Sequence, residues 1–355
     1  MKILICENGQ YGYSDYFYYV KYLSKVYHVD YFCLDARRER ISFDGDQIFM
    51  YKRHRSVVGC LKQIIHSLRF IKQRDPEVVI VRYFRYCLFI GLLCKRPAIL
   101  DIRTVDVNPK KHLRMMHNLL IRMTALFYQH RITIKSDIAK ELKIKRNVSI
   151  VPLGADFRQD RIEQNLDSMK LLYVGTLNHR RIHETIEGLS HFCRSHPDTD
   201  VVYTIIGDGK KRYENLLVNQ IKLVPTNLTV NYVGYVPTTE LDSFYQSHNI
   251  GVSYVPIIDA YMPQPVTKTF EYLLAGMIVI GTALPFHNEV ITKDNGVITQ
   301  DNPDSFAEGI YHIYKNLTSY DLKEIQARSL QFSWDNVVNN ALIPAIEKAC
   351  KPNAY

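Results

Sequence analysis

The sequence predicts an α/β protein of two βαβ domains that face each other across a cleft. Three observations carry this expectation. The chain has 355 residues, too long for one ordinary domain and comfortable for two of roughly 150–200 residues each. Val/Ile/Leu-rich runs alternate with helical patterns, the rhythm of a parallel sheet covered on both faces. That rhythm stops at 154–168, where the chain turns polar and non-periodic, and then restarts.

The first run, Lys-Ile-Leu-Ile-Cys at 2–6, ends at Glu7; it is too short for a signal peptide and fits a first strand. Further strands are expected at 28–33, 78–81, 98–101 and 131–134, with helices near 16–25, 59–73, 111–129 and 135–142. Val-Ser-Ile-Val-Pro at 148–152 closes this half. The second half predicts strands at 170–174, 201–206, 228–232, 251–254, 278–281 and 296–298. Its helices are expected near 183–195, 211–223, 238–247, 267–275, 303–317 and 319–332. The expected domains are therefore 1–155 and 156–335, followed by a C-terminal helix at 336–355, with a crossing back to the first domain as one option. Ligands of such folds bind beyond the carboxyl ends of strands. No repeat of solenoid length and no low-complexity tract interrupts the pattern.

Composition narrows the class. Hydrophobic residues make up 46% of the chain, enough to fill two cores. The seven cysteines form no C-x-x-C pair and stand at irregular spacings, which points to buried thiols in a reducing compartment rather than disulfides or zinc. No stretch approaches the roughly 20 apolar residues of a membrane span. The net charge of +9 is unevenly spread: residues 51–150 hold 22 Lys/Arg against 6 Asp/Glu, whereas 1–50 carry −1 and 151–355 carry −6. The basic half predicts a polyanionic partner: anionic lipid, a phosphate-bearing acceptor or nucleic acid. The absence of a recognised nucleic-acid module disfavours the last. Two basic amphipathic stretches, 60–72 and 112–123, suit either an interfacial helix on anionic lipid or core helices with solvated faces.

Four strand-to-helix junctions in the second half have features that suit a nucleotide. Gly175-Thr176 is followed by Arg180 and Arg181, glycine allowing close backbone approach and arginine offering forked donors to a diphosphate. Gly207-Asp208-Gly209 is a tight loop that can turn N–H groups toward a base or phosphate. Gly234-Tyr235-Val236-Pro237 ends a strand in a loop suited to a flat ring. Each is equally compatible with a plain turn. The most specific is the segment 264–276, where Gln264 and Pro265 lead through Val266 and Thr267 into a helix carrying Lys268 and Glu271 on one face and ending at Gly276. A lysine beside the positive end of a helix dipole is explained by an anionic ligand, and Glu271 can accept from the two hydroxyls of a ribose. A surface i, i+3 ion pair accounts for the same residues.

In these motifs, and in their order, the chain resembles the retaining GT-B glycosyltransferases of family 4. The resemblance is strongest over about 150–334. It rests on 151–156 (Val-Pro-Leu-Gly-Ala-Asp), 175–181, 207–209, 234–237, 268–276, Asn295-Gly296 and Phe332-Ser333-Trp334. It implies two Rossmann-like domains and transfer of a sugar from a UDP- or GDP-linked donor, without metal or other cofactor. Arg181 resembles the basic residue that binds the donor diphosphate, Lys268 a lysine facing the same group, and Glu271 the glutamate that holds the ribose. Gly234 to Val236 resemble the loop beside the base. The chain departs from the family at Thr176, where an arginine is usual, and at Pro263, where a further glutamate is usual; the sugar contact then falls to Gln264 or backbone near Val266. Arg181, Lys268 and the helix N-terminus would stabilise charge on the leaving diphosphate. In the first half, Asp101 and Arg103 are candidates to position an acceptor hydroxyl, with a local ion-pair cluster as the alternative. Asp44-Gly45-Asp46 is taken as surface acid, and no metal site is expected. The implied function is surface-polysaccharide synthesis on a glycan or lipid-linked acceptor, in the cytoplasm or on the inner face of the cytoplasmic membrane. A sugar-nucleotide epimerase or hydrolase and a non-catalytic relative are the alternatives.

Overall fold

A computed structural model of the protein describes residues 1–12, 14–36, 47–52, 57–106, 110–156, 166–259, 261–262 and 265–351. The chain divides into two compact units, one of Met1–Leu153 with Trp334–Tyr355, the other of Gly154–Ser333.

The first unit is built on a parallel sheet of seven strands: β1 (Lys2–Cys6), β2 (His28–Asp35), β3 (Gln47–Lys52), β4 (Val78–Arg82), β5 (Ala98–Ile102), β6 (His130–Thr133) and β7 (Val148–Ile150). Its order is β3-β2-β1-β4-β5-β6-β7, so the topology reverses direction between β1 and β4. The helices are α1 (Tyr16–Leu23), α2 (Val57–Arg74), α3 (Leu88–Leu93), α4 (Lys111–Ala125) and α5 (Ser136–Glu141). Strand residues alternate between two cores, as the period of a strand requires. Ile3, Ile5, Val78 and Ile80 face one core with Tyr16, Tyr19 and Trp334, while Leu4, Cys6, Val79 and Val81 face the other with Ile64, Ile90 and Ile121.

The second unit carries a six-stranded parallel sheet: β8 (Met169–Val174), β9 (Val201–Ile206), β10 (Leu228–Gly234), β11 (Ile250–Ser253), β12 (Ile278–Thr282) and β13 (Gly296–Thr299). The order β10-β9-β8-β11-β12-β13 reverses between β8 and β11. Around it lie α6 (Ile182–Ser195), α7 (Lys211–Ile221), α8 (Asp242–Ser247), α9 (Thr267–Leu274), α10 (Pro285–Val290), α11 (Pro303–Lys315) and α12 (Leu322–Ser329). Helix α9 ends as glycine dictates. Gly276 has φ +66°, its N–H reaches the Leu273 carbonyl at 2.8 Å, and the Met277 N–H reaches Tyr272 at 2.9 Å. Asn302 caps α11 through Ser305 N at 2.9 Å, with Pro303 in the first turn.

The chain then returns to the first unit through α13 (Trp334–Val337), a π-turn at Val338–Leu342 and α14 (Ile343–Cys350). Pro344 cannot donate into the turn before it, and the wide turn lies just there. Trp334 is buried, stacked on Tyr18 with ring centroids 5.3 Å apart.

Strands β3 and β7 and helices α3 and α10 are additions to the elements expected from the sequence. β3 and β7 are the two sheet edges, paired on one side only, where a continuous buried apolar run is not required. The helix expected at 319–332 is shorter, α12 being flanked by 3-10 turns at Leu317–Ser319 and Leu330–Phe332. Asp44 and Asp46 fall outside the described residues, as do Pro263 and Gln264.

Candidate active site

In the second unit, three glycine junctions at the carboxyl ends of β8, β9 and β10 are knitted together. Gly175 N donates to Ile206 O at 2.9 Å, Gly207 N to Gly234 O at 2.7 Å, and Leu177 N to Asp208 O at 2.9 Å. Lys210 N reaches Asn178 Oδ1 at 2.8 Å. Gly207 has φ +135°, and a β-carbon there would overlap the Gly175 carbonyl. Only glycine lets these loops approach so closely.

Beside this junction lies a pocket of about 220 Å³. Its walls come from the ends of β8 and β11, the two strands between which the sheet order reverses. This is where open α/β sheets bind ligands. Tyr173 to Thr176 supply one side and Val252 to Val255 another; Arg180, Tyr261 and Pro265 to Lys268 complete it. Helix α9 begins here, and its N-cap Val266 supplies no capping oxygen.

Of the residues expected at a donor site, Gly175, Thr176, Val266, Thr267 and Lys268 line this pocket. Lys268 Nζ donates to Glu271 Oε2 at 2.6 Å, and Tyr245 Oη donates to the same oxygen at 2.7 Å. Glu271 is thus held by its neighbours, one turn from the pocket wall. Gly207, Gly209 and Gly234 frame the adjoining loops without lining the pocket, Tyr235 is exposed, and Val236 is half-buried. Gln264 lies outside the described residues.

Arg181 is placed differently from its neighbour Arg180. The Arg181 guanidinium is held by Glu184 Oε1 at 2.6 Å and Asp301 Oδ2 at 2.9 Å. Both carboxylates also support the pocket wall: Tyr254 Oη donates to Glu184 Oε2 at 2.7 Å and Ile257 N to Asp301 Oδ2 at 3.0 Å. Arg180 lines the pocket, its guanidinium 4.4 Å from the centroid of the Tyr261 ring. The sequence offered Arg180 and Arg181 together as candidates for a diphosphate, and only the resemblance favoured Arg181; Tyr254 and Tyr261 were not singled out.

In the first unit, Asp101 and Arg103 meet at the carboxyl end of β5, Arg103 Nε donating to Asp101 Oδ2 at 2.9 Å. Tyr16 Oη donates to the same oxygen, and Arg103 stacks over Tyr16 and Tyr19 at 5.0 and 4.8 Å. Asp101 is 1% exposed and the Arg103 side chain 9%. Burial raises the Asp101 pKa, with Arg103 opposing. At the reversal between β1 and β4, a buried Glu7 accepts from Arg82, Tyr31 and Ser14. Glu7 too was given no role by the sequence, where it stands as the first polar position after a buried strand.

Residues 168–316 match the family model described as Glycosyl transferases group 1, so the second unit carries a glycosyltransferase domain. Among curated proteins none matches the sequence. Among solved structures, Anabaena Alr3699/HepE in complex with UDP matches with a TM-score of 0.72 at 12% identity, over 98% of this chain and 100% of that one. A glycosyltransferase from Rickettsia africae ESF-5 gives 0.73 at 12% identity, over 99% of both chains. The lipopolysaccharide outer core galactosyltransferase WaaB in its apo form gives 0.63 at 15%, over 97% of this chain and 99% of its own. At such identities the likeness is one of fold: two Rossmann-like domains of the GT-B type.

Proposed function

Taking the chain as a glycosyltransferase whose residues 168–316 form a group 1 domain, we propose that it moves a sugar from a nucleoside-diphosphate donor to a glycan acceptor. The pocket at the reversal between β8 and β11, with Lys268 and the first turn of α9 in its wall, carries this reading. The bond from the anomeric carbon to the diphosphate breaks, a bond from the acceptor hydroxyl oxygen to that carbon forms, and the departing diphosphate gains negative charge and takes up the hydroxyl proton. Fixed cations and N–H groups stabilise that charge without a metal ion. Glu271, one turn along α9, holds the ribose. The resemblance to family 4 supports retention at the anomeric carbon. The UDP in the HepE structure supports a uridine donor, and the lipopolysaccharide role in WaaB's name supports a surface-glycan product.

The acceptor belongs to the first unit. There we assign Asp101 and Arg103 to bracing the end of β5, because both are buried in each other's company. A lipid-linked acceptor would be met at a membrane. Helix α3 packs against both α2 and α4, and the three expose Leu61, Ile65, Leu92, Leu93, Met115 and Leu119. Exposed Lys62, Arg69, Lys72, Arg114 and Arg122 lie on the same helices. Apolar side chains flanked by cations suit an anionic bilayer. No helix among the described residues is long and apolar enough to cross one. This reading makes the enzyme a peripheral protein of the inner face of the cytoplasmic membrane.

The donor test is thermal unfolding with UDP, GDP and ADP. A bound nucleotide at 100 times its Kd adds about 2.7 kcal/mol, so one of the three raises Tm by several degrees. No shift with any of them at millimolar concentration overturns the donor site. Flotation with phosphatidylglycerol vesicles tests the membrane; no binding at low salt removes that part.

A further inference from the structure

We infer that Arg180, rather than Arg181, is the arginine that grips the donor diphosphate, and that Arg181 is a positioning residue for the pocket wall. This rests on the donor-site reading above. Identical side chains at adjacent positions have opposite surroundings. Arg181 has two carboxylate partners, Glu184 and Asp301, so its charge is already neutralised and its donors are engaged. Arg180 makes no ion pair with any described residue; it lines the pocket, and its Nη1 is buried with no hydrogen-bond partner among the described residues. An unmade bond at a buried donor is costly, most of all on a charged group. A bound anion removes that cost.

The backbone explains the separation. His179 and Arg181 both have φ +57°, a left-handed conformation that non-glycine residues avoid. These two reversals flank Arg180, which they direct away from its neighbour. Arg181 becomes the N-cap position of α6, beside Glu184 in the first turn. Arg180 lies on the Tyr261 ring, which holds the guanidinium plane at the pocket rather than leaving it to sample solvent. Strain of this kind in a ligand loop is a feature to be explained by function. Lys268, which has a single carboxylate partner in Glu271, lines the same pocket from α9, so a diphosphate there meets the planar fork of Arg180 and a point charge only partly engaged. Arg181 acts at one remove. Through Glu184 it steadies Tyr254, and through Asp301 it steadies the chain at Ile257.

The test is calorimetric titration of the full chain with UDP, GDP and ADP, each against its own nucleoside. Charge-assisted bonds to phosphate predict that Arg180→Ala weakens the bound diphosphate by at least about tenfold and leaves nucleoside affinity unchanged. Arg180→Lys recovers part of the loss. Arg181→Ala shifts diphosphate and nucleoside affinity together, since it loosens the wall rather than removing a phosphate contact. Wild-type affinity for the diphosphate in Arg180→Ala, or a phosphate-specific loss confined to Arg181→Ala, overturns the inference and leaves the donor site standing. A wild-type chain that binds none of the diphosphates overturns the donor site itself.

Discussion

Replacing Gly207 by alanine tests how the glycine loops after β8, β9 and β10 are held. Two separate costs meet at this residue. Its φ of +135° is one that L side chains rarely adopt, worth about 1–3 kcal/mol. The new β-carbon would also fall 2.8 Å from the Gly175 carbonyl carbon and closer still to its oxygen. That neighbour is backbone, tied by Gly175 N to Ile206 O, so it cannot swing aside like a side-chain tip. Overpacking of this kind costs about 1–3 kcal/mol more. Gly207→Ala is therefore expected to lose about 2–6 kcal/mol. Gly234 is the control: its φ is +82°, but nothing lies within 4 Å of an added β-carbon. Gly234→Ala should lose only about 1–2 kcal/mol, the backbone term alone. Urea titrations followed by far-UV circular dichroism, fitted with a transition for each unit, give both values. Equal midpoints for the two variants would refute the argument that loop contact, rather than backbone conformation, demands glycine at 207.

Asp101→Asn leaves the buried Arg103 guanidinium without its main counter-charge and should cost about 3–5 kcal/mol, most of it recovered by adding Arg103→Met; a urea midpoint unchanged in the single variant would free the pair for contact with an acceptor. Arg181→Ala should cost less than about 1 kcal/mol, because the side chain is 44% exposed and solvent screens its pairs; a larger loss in the same titration contradicts this. Burial holds His287 down to about 4, whereas the unfolded chain takes up that proton near 6.5. Its contribution is therefore full above about pH 6.5 and is lost as pH falls toward 4, by roughly 3 kcal/mol. The stability gap between wild type and His287→Gln should narrow accordingly between pH 7.5 and 4.5, and parallel profiles would exclude the mechanism.

The central strands were legible because burial on both faces leaves only apolar choices, as in Val78 to Val81 and Ile278 to Ile280. The edge strands β3 and β7 escape that constraint. Gln47 and Lys52 bound β3, and β7 is three residues long. At the site, Gly175, Thr176 and Val266 to Lys268 were legible because each stands where a strand gives way to a helix. The roles of Arg180 and Arg181 were not, since two neighbouring arginines are equivalent until backbone dihedrals distinguish them. Tyr254 and Tyr261 belong to no motif, and an aromatic residue at the end of a buried strand, as Tyr254 is, has the look of core. For Asp101 and Arg103 the pairing could be anticipated, but not a burial that encloses both.

The return of the chain at Trp334 has a consequence for how the protein is made. Trp334, Val337, Val338, Leu342 and Ile346 belong to the core formed by Ile3, Tyr19 and Val78. The first unit is thus the last to be finished: a growing polypeptide must deliver all of Gly154–Ser333 before that core is complete. The second unit is a single uninterrupted stretch, bracketed by the Ala155 to Ser333 bridge, and needs nothing from the tail to close its own sheet. On the ribosome the second unit can fold first, while the first unit waits for the segment from Trp334 to Cys350.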